Sequence, residues 1–176
     1  MIFFKEKLKY VRALIFDNDG VLSMDTTSLT DDGDPVRTTN VKDGYAIRNA
    51  VNMGYHVAII SGGNSERVQL RYQKLGIPHI YMRVAEKLKC LHEFMEKTGV
   101  KAEEILYMGD DVVDCPVMRV VGVPVCPADA VADVKEVALY ISDLPGGHGC
   151  VRDVIEQVMK SQDTWLNDKS YYWRSI

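Results

Sequence analysis

The stretch "LIFDNDGVLS" (Leu14–Ser23) decides how the rest of the sequence is interpreted. Hydrophobic residues run up to Asp17, Asp19 follows two positions later, and Gly20 comes directly after it. A short apolar run of this kind predicts a buried strand over residues 11–16. Two carboxylates held close together at the end of a buried strand raise each other's pKa or require a cation. The stretch therefore raises the question of what balances these charges.

The rest of the chain alternates short apolar runs with helical patterns. Further strands are predicted over residues 56–60, 79–81, 105–108, 123–125 and 139–141, and helices over 45–54, 65–75, 84–98, 116–120, 131–137 and 151–160. Strands that are apolar on both faces and alternate with helices predict an α/β fold, with a parallel sheet between two helical layers. Asp43 is the predicted N-cap of the first of these helices.

A chain of 176 residues favours a single domain, which we place at 1–162. Residues 21–42 interrupt the alternation and predict a β-hairpin flap with its turn near "DDGDP". The C-terminal tail, 163–176, contains both tryptophans and is expected either to pack on a neighbour or to be mobile.

Composition narrows the class of protein. The formal net charge of −4 gives no global positive field for nucleic acid, so no nucleic-acid partner is expected. Nothing approaches the roughly 18 consecutive apolar residues of a membrane helix, so no membrane partner is expected either. The four cysteines form no C-x-x-C pair or zinc spacing, which favours reduced thiols in a cytoplasmic protein.

Polar residues collect where the predicted strands end. They are Asp17, Asp19, Ser61, Gly62, Lys87, Asp110, Asp111 and Asp114. The carboxyl ends of parallel strands meet at one edge of the sheet, where ligands bind. Mg²⁺ prefers oxygen ligands and accepts two carboxylates, so Asp17 and Asp110 are its predicted ligands, with a backbone carbonyl near Asp19 assisting. Lys87, the Ser61 hydroxyl and the backbone at Gly62 would receive a phosphate.

The two early aspartates then need different roles. Asp17, at the tip of the strand, suits attack on phosphorus, which gives an aspartyl-phosphate. Asp19 suits protonation of the leaving alcohol and, later, removal of a proton from water. Phosphoryl transfer otherwise asks mainly for positioning and charge neutralisation.

Each motif alone has a simpler interpretation. "DNDG" is an ordinary turn sequence, and "GDDVVD" also fits a solvated turn in which Asp114 caps the next helix. Lys87 alone resembles a surface lysine and has Lys89 as a competitor. His148, in "GGHGC", fits a surface loop or a substrate-side loop. Their joint occurrence at successive strand ends favours the phosphate site.

The motifs "FDNDGVLS", "IISGGNS", Lys87 and "GDDVVD" resemble the four motifs of the haloacid dehalogenase-like phosphatases. "NVKDGYAI" and "GGHGCVRDVIEQV" extend the resemblance to the cap-less branch that hydrolyses 3-deoxy-D-manno-octulosonate 8-phosphate. The resemblance implies a Rossmann-like three-layer core without a cap domain, Mg²⁺ dependence and a phosphorylated sugar acid as substrate. It also implies a cytoplasmic homotetramer in lipopolysaccharide biosynthesis, in which flap hairpins pack together.

By the same resemblance Asp17 is the nucleophile, Asp19 the acid/base and Asp110 a metal ligand. Ser61 and Lys87 would bind the phosphoryl group, with Asp111 and Asp114 in support. Arg71 matches an arginine that helps to bind the substrate carboxylate, either within its own subunit or across the subunit boundary.

The sequence departs from the family pattern after the second strand, where Gly63 replaces a basic residue. Arg83 is a candidate to restore that charge. A nine-carbon sugar-acid 9-phosphate, of the sialic-acid type, is therefore the alternative substrate. A catalytically silent tetramerisation module is the alternative from another class. A phosphomutase is disfavoured because neither insertion site has room for a cap domain.

Overall fold

Six short strands form one parallel sheet in the computed structural model, which describes residues 3–168, 170 and 171. The strands are β1 (Ala13–Phe16), β2 (His56–Ile60), β3 (His79–Tyr81), β4 (Ile105–Met108), β5 (Val123–Cys126) and β6 (Tyr140–Ile141). Their spatial order is β3-β2-β1-β4-β5-β6. β1 pairs with β2 on one side and β4 on the other, so the strand order reverses next to β1. In open α/β sheets the ligand crevice lies at this point, outside the carboxyl ends of the strands.

Helices cover both faces of the sheet and complete the predicted three layers. They are α1 (Phe4–Lys7), α2 (Val41–Asn52), α3 (Glu66–Lys74), α4 (Lys87–Thr98), α5 (Cys115–Met118), α6 (Ala132–Val137) and α7 (Cys150–Ser161). One core cluster joins the sheet to α2, α3 and α7, and the other joins it to α4, α5 and α6. Among the described residues no further domain interrupts this fold, in agreement with the expected lack of a cap.

The central strand shows why its sequence is apolar at every position. Leu14 and Phe16 belong to the cluster on the α2/α7 side, whereas Ala13 and Ile15 belong to the cluster on the α4 side. All four are fully buried. Because successive side chains of a strand point to opposite faces, a strand covered on both sides must be apolar throughout. The chain can then leave this core only at Asp17, where the sheet ends.

The predicted N-cap of α2 is wrong. Asn40 caps the helix, with its Oδ1 accepting from Lys42 N at 2.9 Å and Asp43 N at 3.3 Å. Asp43 lies inside the first turn of α2 and accepts a hydrogen bond from Arg152 N of α7 at 2.7 Å. A side chain can cap a helix that is distant in sequence, which local spacing does not reveal.

The flap folds back at the predicted turn but forms little strand. Thr30 N donates to Asp34 O at 2.8 Å, and Gly33, with φ of +86°, lies within the turn. A single antiparallel bridge, Leu29–Pro35, joins the two arms of the hairpin-shaped loop. The flap therefore has the predicted path without an extended ladder.

Part of the tail packs against its own domain. Asn49 Nδ2 of α2 donates to Trp165 O at 2.8 Å, and Trp165 is buried. Tyr45 Oη donates to Ser170 O at 2.6 Å. Residue 169 and residues 172–176, with Trp173, lie outside the described part of the chain. In the part that is described, no helix is both long and apolar enough to cross a bilayer.

Candidate active site

Three carboxylates meet at the carboxyl edge of the sheet. Asp17 follows β1, while Asp110 and Asp114 follow β4, and one oxygen of each lies within 4.8 Å of the others. A cavity of about 410 Å³ opens over them. The segments that follow β1, β2, β3 and β4 line this cavity. The lining residues are Asp17, Asp19, Gly20, Asp25, Ser61, Gly62, Gly63, Val84, Ala85, Lys87, Asp110, Asp111 and Val113. The structure therefore brings together the residues predicted from the successive strand ends.

Lys87 forms ion pairs with two of these carboxylates. As the first residue of α4 it is buried, and its Nζ lies 2.6 Å from Asp17 Oδ2 and 2.7 Å from Asp114 Oδ1. Helix α4 begins three positions later than predicted, which puts Lys87 at its N-terminus. The alternative of a surface lysine is therefore wrong, and Lys89, its competitor, is exposed outside this cavity.

Asp114 anchors the network and has no exposed surface. Its Oδ1 accepts from Lys87 and from Tyr107 Oη, at 2.7 Å and 2.5 Å. Its Oδ2 accepts from the backbone N–H groups of Asp110 and Asp111, at 3.1 Å and 3.4 Å. Asp114 therefore orients Lys87 and the loop after β4, and the solvated-turn alternative is wrong for this residue.

The charges of this network follow from burial. Burial raises the pKa of Asp17 to about 6, against the attraction of Lys87, so the carboxylate is ionised at pH 7. Burial alone would lower the pKa of Lys87, but the Asp17 and Asp114 carboxylates outweigh it and raise that pKa. Lys87 and Asp17 are therefore charged together, as a buried ion pair requires.

Asp110 has the features of a cation ligand. Its Oδ1 is buried and has no hydrogen-bond partner among the described residues. Burial, followed by the Asp17 and Asp114 carboxylates, raises its pKa to about 8. A buried, unpartnered carboxylate oxygen among other carboxylates is stabilised by a divalent cation, and Mg²⁺ uses one or two such ligands. These residues fit a magnesium ion held by Asp17 and Asp110.

Gly20 allows this arrangement to form. Its φ is +77°, and a Cβ at this position would lie 1.9 Å from Asp110 Oδ2. The backbone after Asp19 therefore passes so close to Asp110 that no side chain fits between them. The Asp19 carboxylate does not belong to the group formed by Asp17, Asp110 and Asp114.

Asp19 is held by an arginine that the sequence analysis missed. Arg37 of the flap donates to Asp19 Oδ1 from Nε at 2.9 Å and to Oδ2 from Nη2 at 3.1 Å. Its guanidinium lies over Gly63, where the sequence lacks a basic side chain. Arg83, the candidate to restore that charge, is exposed and does not line the cavity. The signal in the sequence was the glycine at position 63, which marks a missing basic side chain. No residue close to Gly63 in sequence identifies Arg37 as the residue that lies there.

Ser61 and Gly62 follow β2 and line the same cavity as the aspartates. Ser61 Oγ accepts from Gly63 N at 3.1 Å, and within the described chain its own O–H has no acceptor. Gly62 N–H likewise has no partner among the described residues, and both positions line the cavity. They are donors available for an anionic ligand.

Asp111, Arg71 and His148 are the remaining residues singled out from the sequence. Asp111 lines the cavity, but its Oδ1 accepts from Val112 N at 2.7 Å and caps the short 3₁₀ turn Val112–Asp114. The Arg71 guanidinium packs against Gly44 of α2 rather than lining the cavity. His148 is exposed, and its Nδ1 lies 2.8 Å from Gly146 O.

Comparison with known proteins agrees with this fold. Residues 76–152 match the family described as haloacid dehalogenase-like hydrolase. The 3-deoxy-D-manno-octulosonate 8-phosphate phosphatase KdsC of Salmonella typhi is 38% identical over 156 residues, covering 89% of this chain and 83% of that protein.

Solved structures give the same result. The crystal structure of 3-deoxy-D-manno-octulosonate 8-phosphate phosphatase from Yersinia pestis has a TM-score of 0.88 and 35% identity, covering 92% of this chain and 87% of that chain. The enzyme of the same name from Moraxella catarrhalis, in complex with magnesium ion, phosphate ion and a KDO molecule, has a TM-score of 0.86 and 30% identity, covering 91% of this chain and 92% of that chain.

This chain belongs to the haloacid dehalogenase-like hydrolases. Within that family, the relatives that it resembles are the 3-deoxy-D-manno-octulosonate 8-phosphate phosphatases.

Proposed function

We propose that this protein is a Mg²⁺-dependent phosphatase that hydrolyses 3-deoxy-D-manno-octulosonate 8-phosphate to the free sugar acid and phosphate. The observation that carries the proposal is the meeting of Asp17, Lys87 and Asp110 in one cavity, in a fold that matches a relative solved with magnesium, phosphate and the sugar acid. The reaction class is phosphoric monoester hydrolysis.

Asp17 is the proposed nucleophile. An oxygen of its carboxylate forms a bond to phosphorus while the bond from phosphorus to the sugar oxygen breaks, which leaves an aspartyl-phosphate. Asn18 N donates to Asp17 Oδ1 at 2.6 Å, and Lys87 holds Oδ2. These bonds fix the carboxylate before substrate arrives, so little reorganisation remains for the reaction.

Asp19 is the proposed acid/base. It gives a proton to the departing sugar oxygen and then takes one from water, whose oxygen forms the new bond to phosphorus as the bond to Asp17 breaks. Phosphate leaves and Asp17 is restored. The Asp19 side chain is 45% exposed, so its carboxyl reaches both the leaving group and water from the cavity.

The cation and the donors neutralise the phosphate. Mg²⁺ at Asp17 and Asp110 would supply positive charge beside the phosphoryl oxygens and lower the repulsion between carboxylate and phosphate. Lys87 supplies a second charge, while Ser61 Oγ and Gly62 N–H supply hydrogen bonds. Asp114 supports Lys87, and Asp111 supports the loop through its cap.

The assembly and cellular role are part of the proposal. Leu29 and Val36 of the flap are 66% and 43% exposed, which suits packing of flaps against one another in a homotetramer. In such a tetramer Arg71 would act on the substrate carboxylate of a neighbouring subunit. We place the enzyme in the cytoplasm, in lipopolysaccharide biosynthesis, with residues 1–162 as the catalytic domain and 163–176 as its tail.

A phosphate-release assay tests this function. Purified protein is given the eight-carbon 8-phosphate or a nine-carbon sugar-acid 9-phosphate, each with Mg²⁺ or with a chelator. We expect Mg²⁺-dependent release that is faster from the eight-carbon acid. Preference for the nine-carbon acid would transfer the assignment to the alternative substrate. Lack of turnover of both, by protein that still binds Mg²⁺, would support the silent module.

A further inference from the structure

The carboxylate of Asp19 is clamped from two sides. On one side Asn18 Nδ2 donates to Oδ1 at 2.6 Å, and Asn18 Oδ1 in turn accepts from Tyr72 Oη of α3. On the other side Arg37 donates to both oxygens, from Nε at 2.9 Å and from Nη2 at 3.1 Å. The planar guanidinium matches a carboxylate in this two-point geometry, which fixes its plane as well as its position.

Arg37 is the more buried member of this ion pair. Its side chain is 8% exposed, against 45% for Asp19, so the guanidinium lies behind the carboxylate and leaves it open to the cavity. Two hydrogen bonds between Thr38 and the Ser23–Met24 segment hold this part of the flap in place. Thr38 N donates to Ser23 Oγ at 2.9 Å, and Met24 N donates to Thr38 Oγ1 at 3.1 Å. Arg37 is thus presented by an anchored segment, unlike a freely moving surface arginine.

The space for the guanidinium comes from Gly63. A Cβ at position 63 would lie 2.7 Å from Arg37 Nη2 and 3.0 Å from Asp19 Oδ2. Gly63 is not among the glycines of positive φ, so its backbone alone does not require glycine. A Cβ at position 63 would instead displace the Arg37 guanidinium, so the ion pair links two positions that are 26 residues apart in sequence.

We propose that Arg37 is a positioning residue for proton transfer by Asp19, and that Gly63 supplies the space in which it acts. The inference rests on the acid/base role proposed for Asp19. Arginine itself stays protonated and transfers no proton. It holds the Asp19 carboxyl toward the departing oxygen, and a displacement of about 1 Å in such an arrangement costs roughly 100-fold in rate.

Two substrates that differ in their leaving group test this role. A sugar phosphate releases an alkoxide that needs a proton, whereas p-nitrophenyl phosphate releases a stable phenolate that does not. kcat/KM reports the steps up to transfer of the phosphoryl group to Asp17. For Arg37→Gln we expect kcat/KM to fall about 100-fold with the sugar phosphate and to stay within about threefold with p-nitrophenyl phosphate, because only the first reaction uses proton donation.

The matched control is Arg12→Gln. Arg12 also pairs with a carboxylate, Glu104 at 3.7 Å, but it precedes β1 and so lies at the opposite edge of the sheet. This variant should retain both activities. An equal loss with both substrates in Arg37→Gln, or no loss with either, would overturn the inference. If wild-type protein hydrolyses neither substrate, the proposed function itself fails, and the two failures are therefore distinguishable.

A double-mutant cycle tests the link to Gly63. Gly63→Ala should push the guanidinium away from Asp19 and reduce sugar-phosphate hydrolysis selectively, as Arg37→Gln does. Because both changes break the same contact, the double variant should be no slower than the slower single variant. Multiplication of the two losses would show that Gly63 and Arg37 act independently and would overturn their coupling. Thermal unfolding of each variant identifies any general loss of folded protein.

Discussion

Lys87 Nζ lies 2.6 Å from Asp17 Oδ2, although 70 residues separate the two in sequence. The pair joins the N-terminus of α4 to the carboxyl end of β1. The Lys87 ammonium balances the charge of the proposed nucleophile. Removing one partner of such a buried pair leaves an uncompensated charge, which makes the pair testable.

Replacing Lys87 by Met should lower both stability and activity. The Asp17 and Asp114 carboxylates would lose their shared ammonium partner, at a cost of about 3–5 kcal/mol in the free energy of unfolding. Hydrolysis should fall at least about 100-fold, because a donor to the developing charge is lost. Denaturant unfolding in the presence of a chelator measures the first effect. Lys89→Met, at an exposed position two residues away, is the control, and equal losses in both variants would contradict the role of Lys87.

Asp17→Asn should abolish turnover while retaining the fold. The amide keeps the shape of the side chain but is not a nucleophile, and losses of roughly 10⁴–10⁶ follow when a nucleophile is removed. Phosphate release measures the loss, and circular dichroism checks the fold. An Asn variant as active as wild type would remove Asp17 from the mechanism.

Magnesium should stabilise the protein through Asp110. At a concentration 100 times its dissociation constant, a ligand that binds only the folded state adds about 2.7 kcal/mol. Differential scanning fluorimetry with Mg²⁺ and with a chelator should therefore show a rise in Tm in wild type but not in Asp110→Asn. Asp111→Asn is the neighbouring control and should keep the response, since Asp111 serves as a cap. A response that disappears in Asp111→Asn and survives in Asp110→Asn would reverse the ligand assignment.

Gly20→Ala should affect the metal site specifically. The new Cβ would meet Asp110 Oδ2 at 1.9 Å, so Asp110 must move and Mg²⁺ affinity should fall. Gly33→Ala is a control with a similar φ of +86° but no atom within 4 Å of the new Cβ. Gly33→Ala should lower the free energy of unfolding by only about 1–2 kcal/mol, the cost of left-handed backbone strain. Calorimetric titration with Mg²⁺ compares the two, and equal affinities would show that Gly20 is needed for its backbone alone.

Asp43 should give stability a distinct pH dependence. Burial raises its pKa from 3.8 to about 6, so between these values the folded state binds more protons than the unfolded state. The folded state is therefore favoured by this group at low pH, and that contribution is lost as pH rises through 6. A shift of roughly two units corresponds to about 3 kcal/mol.

The Asp43→Asn variant isolates this effect, because the amide oxygen can still accept from Arg152 N. Wild type should lose stability relative to the variant by up to about 3 kcal/mol between pH 4 and pH 7. Urea unfolding across this range supplies the comparison. A constant difference would mean that Asp43 titrates normally in the folded state.

Local sequence patterns were enough to predict the sheet and to bring most of the candidate site together. Apolar residues at every position of β1 require cover on both faces, and Asp17 marks where that cover ends. Parallel strands all end at one edge, so locating the strands was enough to bring Asp17, Ser61 and Asp110 together.

The hydrogen-bond and ion-pair partners of these residues could not be predicted from local sequence and follow from the folded chain. Asp114 binds Lys87 and Tyr107, Asp43 caps α7 rather than α2, and Arg37 clamps Asp19. Periodicity reports which face of an element is buried, but the path of a loop such as the flap follows no period. Contacts between distant side chains depend on that path and on free volume, such as the space over Gly63, which exists only once the chain has folded.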